Sequence, residues 1–255
     1  MQNSLDYSDN PWLTNFNLKP HNRIRLFALP YSGAGAGMYF SWSKHFHANG
    51  IDLIAIQPPG REQRIHEKPI THLPDLVGEI LNSIYPLTDQ DFAFFGHSLG
   101  GLIAFELTQK LIKEGKKIPK HLFVSAFRSP DIPNPNPELH QLNDSVFLKK
   151  IAEYGGTPDT ILKNNELMAL LLPILRADFK LLETYRYQPT KPMSCPITLF
   201  NGEKDAIVKP VHMSNWRHHT NTRFRKVVFP GNHFFINDNR KEIISEITNQ
   251  LHNEE

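Results

Sequence analysis

The chain has little sulfur chemistry to offer. Its one cysteine, Cys195, cannot close an internal disulfide, and it stands before Pro196 with no CxxC partner. A structural disulfide framework is excluded, and a reducing, cytoplasmic setting is expected. Long apolar runs are missing too: no stretch approaches the roughly eighteen residues that a membrane span needs. Residues 1–23 (MQNSLDYSDNPWLTNFNLKPHNR) lack the basic start and apolar centre of a secretory signal. Charge of one sign is scarce as well. Lys plus Arg number 28 against 26 Asp plus Glu, a formal net charge of +2, and the cations are dispersed. Neither a nucleic-acid partner nor a membrane partner is expected from that balance. The cluster from Lys113 to Lys120 reads as the solvated end of a helix and its following loop.

What the chain does have, in 255 residues that are 40% apolar with 17 Phe, is material for one sizeable core. Runs of β-branched and aromatic residues alternate with longer stretches of helical pattern, which argues for a mainly parallel central sheet flanked by helices. Strands are predicted at Ile24–Leu29, Asp52–Gln57, Phe92–Phe95, His121–Phe127, Pro196–Asn201 and Phe224–Phe229. Helices are predicted at Tyr39–Asn49, Leu73–Tyr85, Leu99–Gly115, Val211–His218 and Arg240–His252. Between Arg128 and Ser194 lie more residues than one crossover helix uses. That stretch opens on SPDIPNPNPE, whose prolines forbid regular structure, and continues with helical patterns at Val146–Tyr154 and Glu166–Tyr187. It reads as a helical lid inserted at about residues 129–194 of a single domain, with ordinary core helix as the other reading.

The sharpest local signal is FAFFGHSLGGLIAFE at 92–106, which holds Gly96-His97-Ser98-Leu99-Gly100. A G-x-S-x-G arises by chance in roughly one chain in ten of this length, so context decides. An apolar strand runs into it and a helical pattern leaves it, the strand, sharp turn and helix of a nucleophile elbow. Side chains two before and two after the strained serine would collide, and glycine removes them. A serine needs a base and a carboxylate, in the chain order Ser, acid, His. Among thirteen histidines, His233 sits in FPGNHFFIND after a strand and before the last helix. His218 and His219, being adjacent, point apart and make no metal site with His212, and His97 reads as a packing or hydrogen-bonding neighbour. For the acid, Asp205 in PITLFNGEKDAIV follows a strand end, ahead of Glu203, Asp178 and Asp131.

The glycines of LPYSGAGAGMYFSW at 29–42 first suggest a nucleotide loop. A dinucleotide loop needs a third glycine where Met38 stands and an acid near Gln57, and no Walker Gly-Lys-Ser or Gly-Lys-Thr is present. An oxyanion loop remains, with one N–H from Leu99 and the other from Tyr31-Ser32-Gly33.

With these residues in place the chain resembles the stand-alone type II thioesterases of the α/β-hydrolase superfamily, which accompany nonribosomal peptide and polyketide synthases. The likeness runs from Leu26 to about Ile236 through LFALPYSGAGAGMYFSW, IAIQPPGREQRI, FFGHSLGGLIAFEL, LFVSAFRSP, LRADFKLLETYRY and GEKDAIVKPVHMSNWRHHTNTRFRKVVFPGNHFFI. It implies a serine thioesterase clearing acyl groups from the phosphopantetheine arm of acyl or peptidyl carrier proteins, with no cofactor or metal of its own; a monomer is expected. It implies Ser98 as nucleophile, Asp205 as acid, His233 as base, and Ser32 and Leu99 as oxyanion N–H donors. Arg61 and Trp216 match family positions and are assigned structural roles. Two departures stand out: Ser32-Gly33-Ala34 replaces a usual Ala-Gly-Gly, and Asn232 replaces a glycine. The other readings are a medium-chain acyl-carrier hydrolase of fatty acid synthesis, a carboxylesterase or lipase with the same triad, an acyltransferase, and a catalytically silent binding scaffold.

Overall fold

The computed structural model describes residues 9–16, 24–156 and 159–252. Residues 1–8 and 17–23, part of the stretch read for a signal, lie outside the described residues. Seven strands form one sheet: β1 (Leu13–Asn15), β2 (Ile24–Leu29), β3 (Ile51–Ile56), β4 (Asp91–His97), β5 (His121–Ser125), β6 (Ile197–Gly202) and β7 (Phe224–Phe229), in the order β1-β3-β2-β4-β5-β6-β7. All neighbours are parallel except β1, which runs antiparallel to β3. The mainly parallel sheet expected from the sequence is therefore present.

The strand sequences explain the burial. β3 and β6 (IDLIAI, ITLFNG) are buried at every position, as strands covered by helices on both faces must be. One face packs on α2 (Leu73–Ile84) and α3 (Leu99–Lys113) through Leu76, Ile80, Leu102 and Phe105. The other packs on α1 (Phe40–Ala48) and α7 (Arg240–His252) through Trp42, Phe46, Ile243 and Ile247. The edges are blunted. β1 is three residues long, and β7 turns Arg225 and Lys226 outward, which discourages pairing with another chain. The strand order reverses between β2 and β4. Their carboxyl ends, Leu29 and His97, therefore open a crevice at the switch point of the sheet.

Between β5 and β6 stand α4 (Asp144–Tyr154), α5 (Asp159–Leu162) and α6 (Asn165–Thr184). Asn143 caps α4 by accepting the Val146 N–H at 3.1 Å, and Asn164 caps α6 by accepting those of Glu166 and Leu167 at 3.1 Å. α4 and α6 share a small apolar cluster of their own, including Phe147, Ile151, Met168 and Leu175.

Several elements differ from expectation: α5 was not expected, β4, β5, α4 and α6 end or begin up to three residues from their expected bounds, and three further cases are instructive. β1 escaped the sequence reading because three residues carry no periodicity. Helix α1 begins one residue late, after a 3₁₀ turn at Ala36–Tyr39. Residues Pro210–His219, expected to be α-helical over Val211–His218, form a 3₁₀ helix whose buried residues Met213, Trp216 and His219 recur every third position. That spacing suits three residues per turn better than 3.6. Trp216 donates its indole N–H to the Phe127 carbonyl at 3.0 Å, and the Lys cluster after α3 is paired, Lys116 with Glu114 and Lys117 and Lys120 with Asp91. No helix among the described residues is long and apolar enough to cross a membrane.

Candidate active site

Ser98 joins β4 to α3 with φ 53° and ψ −116°, a conformation that costs an L-residue free energy. Its surroundings enforce it. The Ser98 N–H donates to the Ser125 carbonyl at 2.8 Å, and its carbonyl accepts from Gly101 and Leu102. A Cβ on Gly96 would lie 2.0 Å from the Gly100 carbonyl oxygen, and one on Gly100 would lie 2.2 Å from that of Leu29. The turn exists in this tightness only with glycine at both places, and it leaves Ser98 at the N-terminus of α3, where unbonded N–H groups gather.

The other two side chains arrive from turns beyond β6 and β7. His233 Nε2 lies 3.1 Å from Ser98 Oγ, and its Nδ1 lies 2.8 Å from Asp205 Oδ2. A carboxylate only accepts, so Nδ1 carries the proton and Nε2 is left to accept from the serine hydroxyl. The remaining Asp205 oxygen accepts the N–H groups of Ile207 and Val208, each at 2.9 Å. Asp205 and His233 are each 5% exposed, whereas Ser98 is partly open. A hydroxyl aligned on an imidazole that is held by a fixed carboxylate can surrender its proton as it attacks.

The sequence's other candidates go elsewhere. Glu203 is exposed, and Asp131 bonds Ser129, His219 and Asn215. Asp178, weighed as a distant acid, turns from His233 to Arg61: the guanidinium meets both carboxylate oxygens at 2.7 and 2.9 Å in a buried pair. Among the described residues no group of three His, Cys, Asp or Glu is placed to hold a metal. His97 is fully buried, with Nδ1 2.8 Å from the Ser125 hydroxyl.

The loop after β2 is a tight turn. Ala34 N–H donates to the Tyr31 carbonyl at 3.0 Å with Gly33 at φ 84°, the geometry of a type II turn. Asp178 accepts the Gly33 N–H at 2.7 Å, and Arg61 donates to the Ala34 carbonyl at 3.2 Å. Gln57, where an acid would mark a dinucleotide site, instead accepts the Ala36 N–H at 2.8 Å and donates to Pro58 and Arg61 carbonyls. The loop is thus tied to α6 and to the turn after β3. Ser32 and Ser98 line a cavity of about 110 Å³ closed by Ile151 and Tyr154 of α4 and by Leu175, Phe179 and Leu182 of α6. Sequence reasoning placed those helices but not which side chains face Ser98, because an amphipathic helix does not announce its partner.

Two outcomes test this frame. Asp178→Asn leaves the Arg61 charge buried without its counter-ion and is expected to cost about 3–5 kcal/mol in urea unfolding. A loss under about 0.5 kcal/mol would show that the pair is not structural. Burial, with the nearby His233 second, holds the His97 pKa well below its usual value. The unfolded chain therefore takes up this proton first as pH falls, so the contribution of His97 is intact above about pH 6.5 and is lost below it. Melting temperatures of His97→Gln measured from about pH 5 to 6.5 should fall less steeply than wild type; an unchanged slope would contradict it.

Comparisons with known proteins agree with the geometry. A family model described as a thioesterase domain matches residues 24–251. The gramicidin S biosynthesis protein GrsT of Aneurinibacillus migulanus is 39% identical over 95% of this chain and 94% of its own. Thioesterase PikA5 of Streptomyces venezuelae is 33% identical over 97% and 88%. The structure of the type II thioesterase BorB from the borrelidin biosynthetic cluster superposes with a TM-score of 0.87 at 30% identity, covering 95% of this chain and 98% of that one. The elbow, the mainly parallel sheet and these likenesses agree: the chain belongs to the thioesterase family and carries its α/β-hydrolase fold.

Proposed function

We propose that this thioesterase hydrolyses acyl groups from the phosphopantetheine arm of carrier proteins, clearing stalled or misprimed nonribosomal peptide or polyketide synthases. The observation that carries the reading is the continuous line from Asp205 through His233 to Ser98, opening into an apolar cavity. Two relatives support the setting by their names, one in gramicidin S biosynthesis and one in the borrelidin cluster.

In this mechanism Ser98 Oγ attacks the thioester carbonyl while His233 takes its proton, and Asp205 steadies the imidazolium. The oxyanion faces the N–H groups of Leu99 and Ser32. Leu99 opens α3, so its N–H has no intrahelical acceptor. In the turn, Gly33 and Ala34 give their N–H groups to Asp178 and Tyr31, which leaves that of Ser32 for the substrate. Each such donor contributes about 3–4 kcal/mol at the transition state. His233 then protonates the departing thiol, and water, activated in the same way, releases the acid. No cofactor or metal takes part. The helices between β5 and β6 serve as the lid of a single domain, and the carrier arm enters along its rim. The protein acts as a cytoplasmic monomer.

The size of the inner cavity argues for short acyl groups over medium-chain ones. Its volume of about 110 Å³ is below the roughly 150 Å³ that admits a benzene-sized guest. Acetyl or propionyl carrier thioesters should therefore turn over faster than octanoyl, and thioesters faster than matched oxygen esters. Ser98→Ala should lower kcat by about 10⁴-fold or more. Hydrolysis that survives in this variant would overturn the mechanism, and an octanoyl preference would favour fatty acid synthesis as the setting.

A further inference from the structure

Three arginines are buried among the described residues: Arg61, Arg64 and Arg128, at 5, 7 and 8% exposure. The first two meet carboxylates, Asp178 and Glu67. Arg128 meets none. Its Nε donates to the Ile132 carbonyl at 3.0 Å and its guanidinium carbon stands 5.0 Å from the Phe127 ring centre. Among the described residues its terminal amino groups have no hydrogen-bond acceptor. A buried charge is retained at a cost unless something pairs with it.

Its position says what that partner is. Arg128 lies three residues beyond Ser125, the residue whose carbonyl holds the Ser98 N–H. It lines the Ser98 cavity and also an outer groove of about 610 Å³, the two meeting at Arg128, Asn134, Asn136, Pro137 and Glu183. Anything reaching Ser98 along that groove passes the guanidinium. Glu183 is the acid at this junction, and its oxygens are already engaged by the N–H groups of Leu139 and His140 and by the His140 ring. Tyr185, on the outer wall, gives its hydroxyl to Glu106 at 2.7 Å. The polar rings of the inner wall, Tyr31, Tyr154, His212 and His233, bring no carboxylate.

We propose that Arg128 is the anion-binding residue of the substrate cleft, its fork receiving an oxyanion that the substrate itself carries. The assignment rests on the thioesterase reading above. Two substrate groups have this chemistry: a carboxylate at the far end of a short dicarboxylic acyl group, and the phosphate of the carrier arm. The depth of Arg128 favours the carboxylate, because the phosphate stays tethered to the carrier surface. Planar guanidinium matches either one in bidentate fashion, where lysine would act only as a point charge.

The test uses butyryl and succinyl thioesters, each built on pantetheine and on phosphopantetheine, with wild type, Arg128→Gln and Arg128→Lys. Wild type is expected to favour the charged member of a pair through KM. Arg128→Gln should raise KM for that member about 10- to 100-fold relative to its uncharged counterpart, and Arg128→Lys should recover part of the loss. Collapse of the succinyl-to-butyryl ratio identifies the carboxylate, and collapse of the phosphopantetheine-to-pantetheine ratio identifies the phosphate. Fluorophosphonate labelling of Ser98 reports whether each variant is folded. A wild type without preference in either pair overturns the assignment with no variant needed, as does an Arg128→Gln variant that changes all four substrates alike. A wild type inactive on every thioester overturns the thioesterase reading itself, and this assignment with it.

Discussion

Everything at this site depends on one forced piece of backbone. Ser98 is held at φ 53° between a strand that is buried on both faces and the first turn of α3, with no room for a side chain on Gly96 or Gly100. The strain is sustained because the elbow is over-determined: β4 is paired on both sides, and the Ser98 amide is bonded to the end of β5. From this constraint the rest follows. The serine oxygen stands above the sheet's carboxyl edge, the α3 N-terminus points at the same spot, and Gly100 lets α3 close on the carbonyl of Leu29, where the Ser32 loop begins.

A second constraint joins distant parts of the chain to that spot. Asp178 belongs to α6, between β5 and β6, yet it bonds both Arg61 after β3 and the Gly33 amide after β2. The helix that closes the cavity with Leu175 and Phe179 thereby also sets the turn that presents Ser32. Shape of the acyl pocket and geometry of the proposed oxyanion site are carried by one rigid element, so a shift of α6 would move both. The charge arrangement follows the same economy: Arg61 is neutralised within the frame, whereas Arg128, at the junction of cavity and outer groove, is left for the substrate.

How far the sequence carried depended on whether a feature is local. β2, β7 and α7 match the expected bounds because their apolar patterns are strong and are bounded by Pro, Gly or Asn. Ser98, Asp205 and His233 could be chosen because each lies in a turn just past a strand, where chain order and placement agree. β1 could not be found, since three residues set by pairing with β3 leave no period. The Pro210–His219 helix reads as α in sequence because a spacing of three is close to 3.6 over so short a stretch. Asp178 was weighed as an acid because its partner, Arg61, lies 117 residues away in sequence. The state of Arg128 is illegible in sequence for a deeper reason: Glu183, Asp131 and Glu138 line the same cleft, yet none of them pairs with it, and that is a property of the packed chain alone.

The central claim is that Ser98 carries the acyl group between attack and release. Intact-mass analysis of the wild-type enzyme quenched during turnover of an acyl-pantetheine thioester tests it most directly. The account predicts one added acyl group per chain, located on Ser98 by peptide mapping and missing from Ser98→Ala. Turnover with no acyl adduct, or with the adduct on another residue, would contradict it.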